Sequence, residues 1–356
     1  MDVSVYAPSM NRVRRALVPF VRDLVSEVSY RTGLTRADGP ARTLLTIVTF
    51  HRVLTDQTLR DYPIPQLAVS VDELGWLVAY FQRHYTCGAL AGVHRRWVDG
   101  ERPKQPFLAI TFDDGQRDNF ENARPVLDSA NVKASFFVPL DAVDRNEALW
   151  HDRLAYALRR LLATDRREGL RLCARLGPCD GRADRDLLLA TLQRAKQLTP
   201  EARLSIVAQL EAAAGGLTRP SWDGSMSWSQ LRELVRTGHE VGSHTLSHAI
   251  LPLVDDDQLE HEIVASKARL EAELGVVCES FCYPNGDRDA RVEDAVRRAG
   301  YARAVTAEWG PNRPGTDLLR LTRCDMHGAH VRSRSGQLSA ARTALRLSPY
   351  FSVLRS

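Results

Sequence analysis

The chain has little cysteine, no long apolar run and no block of basic residues, and each shortage argues against a class of explanation. Its six cysteines, Cys87, Cys173, Cys179, Cys278, Cys282 and Cys324, are spread over 356 residues without a C-x-x-C pair. That pattern argues against a zinc ribbon and against a disulfide framework, and leaves buried, reduced thiols as the expectation. Lysine and arginine are dispersed and the net charge is only +4, so nucleic acid is not an expected partner. The first residues, MDVSVYAPSMNRVRRALVPFVRDLVSE, place charges on both sides of a very short apolar run. Neither a secretory core nor a spanning helix fits there. A cytoplasmic protein is expected, with peripheral attachment to the inner membrane face as the sharper alternative.

What is present is an apolar share of 44%, enough for one large α/β domain or two medium ones. From Arg12 to Val28, Val13, Leu17, Val21, Leu24, Val25 and Val28 recur at helical spacing, interrupted by Pro19. The last stretch, LSAARTALRLSPYFSVLRS, is a second basic amphipathic segment. Both ends are expected to dock either on the protein's own surface or on an anionic membrane face. The expected division is an amphipathic extension over 1–43, a catalytic domain over 44–330 and a basic tail over 331–356.

Between the ends, LLTIVTFHRV, FLAITFDD, KASFFVPL, GHEVGSH, VVCESFCYP and YARAVTA alternate with amphipathic helical stretches. Strand–helix alternation of this kind predicts parallel β-α units, closed into a barrel. Residues 147–220 break the rhythm: they are rich in Arg, Leu and Ala, read as helices, and form an insertion between barrel elements. Such an insertion either narrows access to a site or serves packing alone.

Three strand ends carry polar clusters. Asp113 and Asp114 follow the apolar run Leu108–Phe112, and neighbouring carboxylates near a core persist where a cation or a proton transfer rewards them. His244 and His248 sit four apart after a strand-like run; with one carboxylate they form the two-His-one-Asp set that zinc and related metals accept. His239 and His261 nearby are expected to be ordinary surface residues. The third cluster, Tyr283-Pro284-Asn285-Gly286, is a tight turn whose backbone amide is a candidate oxyanion donor. In parallel α/β folds the strand carboxyl ends face the active site, so all three clusters are expected to converge.

The order T-F-D-D-G, H-T-x-x-S-H, Y-P-x-G resembles the polysaccharide deacetylase superfamily, the NodB-homology carbohydrate esterases, over about residues 44–326. The resemblance implies a distorted (β/α) barrel of about seven strands and a divalent metal, usually zinc. It implies that Asp114, His244 and His248 hold the metal, that Asp113 is the general base, and that Tyr283 supplies the oxyanion amide within a substrate-binding turn that includes Pro284 and Asn285. The general acid departs from the common pattern, because the late-strand candidates His327 and His330 lie past the strand's end. His51 after the first strand is preferred to His327, as in the poly-N-acetylglucosamine deacetylase-like branch. The arginine that commonly orients the base is missing from the FCYPNG turn, and Arg320 is a candidate replacement, with a surface or structural ion pair as its alternative role. Trp309 and Trp228 are candidates for stacking on sugar faces, with core or rim packing the favoured role. The implied activity is removal of acetyl from an N-acetylated amino sugar in a polysaccharide or its lipid-linked precursor. Two alternatives stand beside it: the same site acting on a non-sugar linear amide, and a catalytically silent carbohydrate-binding barrel, against which the intact aspartates and histidines speak.

Overall fold

Residues 20–39, 42–179, 183–216 and 219–351 are described by the computed structural model. Ten strands are present among them: β1 (Thr46–Phe50), β2 (Arg52–Leu54), β3 (Ala68–Ser70), β4 (Thr86–Gly88), β5 (Phe107–Phe112), β6 (Ser135–Val138), β7 (Glu240–Ser243), β8 (Ser280–Cys282), β9 (Arg303–Trp309) and β10 (Leu321–Asp325). Seven of them close a parallel barrel in the order β1-β10-β9-β8-β7-β6-β5, with β5 pairing back onto β1. The expected fold class is therefore the observed one. The short β4 lies along Phe107–Ala109 of β5, whose upper residues Thr111 and Phe112 pair with β6. β2 and β3 form a separate parallel pair, so the apolar run LLTIVTFHRV is cut at His51 into a barrel strand and an excursion outside the barrel.

Apart from the last residues of β9, the barrel strands are largely buried on both faces, and β1, β5 and β6 have the near-continuous apolar sequences such burial favours. Inside, Ile47, Ala109, Phe137, Cys282, Val305 and Leu321 form one cluster with Leu90, Val93 and Trp97 of the helix Leu90–Val98. That helix starts on residues at the amino ends of β6 and β7: Leu90 N donates to Ser135 Oγ at 2.7 Å and Ala91 N to Glu240 Oε2 at 2.8 Å. It closes the amino-terminal end. The carboxyl ends of the strands are left to form the opposite mouth.

The insertion between β6 and β7 contains four helices, Trp150–Thr164, Arg166–Ala174, Asp184–Ala195 and Pro200–Ala213. They bury a separate apolar cluster, including Leu154, Leu158, Leu187, Val207 and Leu210, together with Leu54, Tyr62, Ile64 and Ala68 from the β2–β3 excursion. The insertion and the excursion thus share one core.

The two chain ends resolve the expected alternatives differently. In the helix over 20–31, Ser26 and Ser29 face the protein, while Phe20, Val21, Leu24 and Val28 are exposed; residues 12–19 of the expected helix lie outside the described residues. The apolar stripe of this helix is therefore not docked on the protein's own surface. The carboxyl-terminal helix Ala340–Leu347 is the reverse, because Arg342 and Arg346 are buried with the rest of it. Arg342 donates to Asp23 Oδ1 at 3.2 Å and to the Ala329 carbonyl at 2.7 Å, and Arg346 pairs with Asp325. This helix is docked on the rest of the fold, one of the two expected alternatives, and residues 352–356 of the expected tail lie outside the described residues. His239 is also corrected: it is buried, with Nδ1 accepting from Ala134 N and Nε2 at 3.2 Å from Asp128 Oδ1. Among the described residues, no helix is long and apolar enough to cross a membrane.

A buried charge cluster joins the barrel to the insertion. Arg52 is 1% exposed; its Nη1 reaches Asp118 Oδ2 at 2.8 Å, and its Nη2 reaches Asp152 Oδ2 at 2.9 Å and also Asp223. Tyr62 Oη donates to Asp152 Oδ1 at 2.7 Å and Val53 N to Asp118 Oδ1 at 2.7 Å. Arg52→Met leaves three buried carboxylates without their cation and is expected to cost about 3–5 kcal/mol in urea unfolding. Arg31→Met breaks the exposed Arg31–Glu27 pair and is expected to cost under about 1 kcal/mol.

Candidate active site

The mouth of the barrel holds a cavity of about 440 Å³ lined by His51, Asp113, Asp114, His151, His244, His248, Asn285 and Arg323, among others. Each side chain arrives from a strand end or from the insertion. Asp113 N donates to the Phe50 carbonyl at 2.9 Å, which carries the sheet pairing one residue past β5. The chain then turns sharply, with Asp114 at φ 72° and Gly115 at φ 61°. A Cβ at Gly115 would stand 3.0 Å from Val138 Cγ1, so this turn needs glycine for both its conformation and its space.

Thr245 (φ 70°), His248 (φ 59°) and Asn285 (φ 55°) are also left-handed. Together with Asp114 they bring four of the six non-glycine positive-φ residues among those described to this one mouth. Strain of this kind persists where the surrounding structure over-determines it. At Thr245, a β-branched residue, it is least expected from local preference.

The adjacent aspartates are turned to different partners. Arg323 grips Asp113 bidentately, Nη1 to Oδ1 and Nη2 to Oδ2, both at 2.7 Å. Burial pushes the Asp113 carboxyl up, but the charge and hydrogen bonds of Arg323 outweigh it and hold the group below the usual carboxylate range. Asp114 Oδ1 lies 3.5 Å from His244 Nε2 and 3.3 Å from His248 Nε2. Its carboxyl is likewise held well below its ordinary value, against burial, by contacts from the two imidazoles. The two histidines respond differently to one carboxylate. Burial takes His248 down to about 4, whereas His244 is raised despite burial, because Cys282 and Asp114 favour its charged form.

His244 Nδ1–H donates to the Cys282 carbonyl at 2.8 Å, which fixes the ring and leaves Nε2 toward Asp114. One ligand atom from each of Asp114, His244 and His248 fits within 4.8 Å of the other two. This donor set suits a divalent ion. Two further groups meet the same distance criterion, Asp113-His244-Cys282 and Asp325-His327-His330, but a guanidinium already occupies each. Arg323 sits on Asp113 and 3.3 Å from Cys282 Sγ, and Arg346 sits on Asp325.

His51 Nε2 is 3.9 Å from Asp113 Oδ2 and partly exposed to the cavity. His327 does not line the cavity; its ring lies against that of His330, 3.7 Å between centroids and tilted by 38°. Arg320 is not on the base. It lies half-exposed before β10 and pairs with Glu293 and Asp317. The side chain that reaches Asp113 is Arg323, inside the barrel two residues after the inward-facing Leu321.

The backbone amide of Tyr283 is also corrected as an oxyanion donor, since it donates to the Val305 carbonyl at 3.2 Å and its hydroxyl to the Leu319 carbonyl at 3.0 Å. The free donor in that turn is the Asn285 side chain, whose buried Nδ2 has no partner among the described residues and whose residue lines the cavity. Pro284 shapes the turn without lining the cavity. Trp309 packs on Phe351 at 5.1 Å between centroids, and Trp228 donates to Asp144. Neither tryptophan lines the cavity.

Beside Arg323, a second polar group close to the aspartates was not expected from the sequence. His151, on the first inserted helix, places Nε2 3.7 Å from Asp114 Oδ2 and 3.9 Å from Asp152 Oδ2, and that nitrogen is buried without a hydrogen-bond partner. Its position follows from the packing of the insertion, which carries no local sequence signal.

The family model described as "Polysaccharide deacetylase" matches residues 100–176 and 184–304. No curated protein sequence matches the chain. Among solved structures, it is similar to the deacetylase PplD of Streptococcus pyogenes in complex with acetate, with 16% identity, TM-score 0.54, and coverage of 80% of this chain and 92% of that one. IcaB from Ammonifex degensii is similar at 17% identity and TM-score 0.53, covering 80% and 93% respectively. BC0361, a polysaccharide deacetylase from Bacillus cereus, is similar at 20% and 0.51, covering 80% and 65%. At these identities the likeness to the three structures is one of fold.

Arg323→Gln is expected to move the Asp113 carboxyl from below its ordinary pKa to above it, since burial then acts without the guanidinium. Arg320→Gln is expected to leave it in place. Titration of Asp113 by carboxyl-carbon NMR distinguishes the two arginines.

Proposed function

The chain belongs to the polysaccharide deacetylase family, and from that premise we propose that it removes the acetyl group from an N-acetylated amino sugar, in a polysaccharide or its lipid-linked precursor, using a divalent metal, zinc by preference. The observation that carries this reading is the division of labour between neighbouring carboxylates: Asp113 is held ionised by Arg323, while Asp114 faces His244 and His248. In this reading Asp114, His244 and His248 hold the metal. When bound, the ion supplies Lewis acidity that polarises the acetyl carbonyl and makes a water more acidic.

The remaining work falls to the chain's own side chains. Asp113 accepts the proton of the attacking water, and Arg323 keeps the accepting oxygens ionised and aimed. Asn285 Nδ2 is the amide donor for the acetyl oxygen as negative charge develops on it. His51 gives a proton to the departing amine, which leaves as the free amino sugar while acetate is released. His151, its ring 5.8 Å from that of His248, orients Asp114 through the oxygen that His244 and His248 do not face. Contact with a membrane or a lipid-linked sugar is supported by the exposed stripe Phe20, Val21, Leu24 and Val28.

The test combines metal content with acetate release from N-acetylglucosamine substrates. Wild type is expected to hold one metal and release acetate. Asp113→Asn is expected to keep the metal and lose roughly 10²–10⁴-fold in rate, and His244→Ala to lose both. Acetate release by a His244→Ala variant that holds no metal would overturn the assignment. His151→Ala is expected to weaken metal affinity by roughly 10–100-fold, read by competition with a chelator, and His51→Ala to leave that affinity unchanged while acetate release falls.

A further inference from the structure

The inserted helix Asp184–Ala195 and the residue after it give the cavity one wall, made of Leu189, Leu192, Gln193 and Lys196. Ile64, Gln66 and Leu67 of the β2–β3 excursion continue that wall. It is largely apolar and carries a single cation. Lys196 is half-buried and makes no hydrogen bond or ion pair with any described side chain. A lysine just past a helix end is ordinarily satisfied by the last carbonyls of that helix. Here Arg203 Nε takes the Ala195 carbonyl at 3.1 Å, while the Leu192 and Arg194 carbonyls accept from the backbone amides of Lys196 and Gln197.

The Lys196 ammonium therefore bears a desolvation cost without a partner. Burial lowers its pKa, and the attraction of Asp287 and Asp114 from beyond ion-pair distance does not reverse the shift. An anion from outside the chain would complete this wall. A compact, rotatable ammonium is suited to a phosphate oxygen as a point charge.

We propose that the amino sugar deacetylated here carries a phosphate or diphosphate group that binds against Lys196, with the apolar wall of the insertion covering the linkage. This rests on the deacetylase reading and narrows its substrate class. The interior of a neutral polymer offers Lys196 only uncharged oxygens, so the preferred substrate is a sugar joined through an acidic phosphate to its carrier. The carrier is either a nucleoside or a polyprenol, which present the same anion to the wall.

The experiment measures acetate release by the metal-loaded full-length protein from three substrates: nucleoside-diphosphate-linked N-acetylglucosamine, the polyprenyl-diphosphate-linked sugar in detergent, and a neutral N-acetylglucosamine oligomer. At least one diphosphate substrate is expected to exceed the neutral oligomer in kcat/KM by about tenfold or more, and the better of the two identifies the carrier. Lys196→Gln is expected to reduce that preference by roughly 10–100-fold, mainly through KM, as loss of one charge-assisted contact implies. Lys196→Arg is expected to retain most of it. Equal or better use of the neutral oligomer, or an equal loss on all three substrates in Lys196→Gln, overturns the proposal and leaves the deacetylase reading standing. Acetate release from none of the three overturns the deacetylase reading itself.

Discussion

The guanidinium of Arg323 is the point at which the barrel and its chemistry meet. It donates to Thr49 Oγ1 on β1, Thr111 Oγ1 on β5 and the Thr306 carbonyl on β9, lies 3.3 Å from Cys282 Sγ on β8, and itself belongs to β10. Five of the seven barrel strands are thus tied through one buried cation. Thr111 can accept from it because its own hydroxyl hydrogen is committed to the Val48 carbonyl at 2.9 Å. A buried charge is tolerable only with such full satisfaction, and the one counter-charge in the set is Asp113. The carboxylate that the chemistry needs ionised is also the one that neutralises the structural cation, so fold and reactivity cannot be varied separately at this position.

This coupling also explains why the two aspartates can be neighbours. Adjacent residues at the end of an extended strand would point to opposite faces, one into the barrel and one out. The left-handed conformation of Asp114 breaks that alternation and keeps its carboxylate at the mouth, beside His244 and His248. Gly115 then removes the chain from the space held by Val138. The strain at Asp114, Thr245, His248 and Asn285 is sustained by the packing of the strands beneath them. A rigid barrel is what permits four unfavourable conformations in one small region.

Much of this was legible in the sequence. Six of the seven barrel strands lie within the runs that alternate with amphipathic helices, β10 (LTRCD) being the exception, and Asp113, Asp114, His244 and His248 stand at the ends of those runs, where period and topology bring them together. Arg323 was legible in principle: Leu321, Arg323 and Asp325 share the strand's inward parity, whereas Arg320 precedes the strand. The role of Tyr283 was misread for a different reason, because whether a backbone amide is free depends on its sheet partner, here Val305, and not on the turn that follows it. His151 and Lys196 carry no local signal. Their meeting with the mouth depends on four inserted helices packing on the β2–β3 excursion, a contact between segments about a hundred residues apart, as in the Arg52–Asp152 pair.

The insertion is best understood through that pair. Asp152 follows His151 directly; one is fixed by Arg52 and Tyr62, and the other faces Asp114. The charge cluster that anchors the insertion to the barrel therefore also sets the position of the imidazole it presents to the site. The same helical unit supplies Leu189, Leu192 and Lys196 to the cavity wall. A change within the apolar core of the insertion would be felt both at the ligand side of Asp114 and at the wall, while the Arg323–Asp113 pair, held by barrel strands alone, would keep its geometry. In this protein the barrel fixes the reacting groups, and the inserted helices determine what is brought to them.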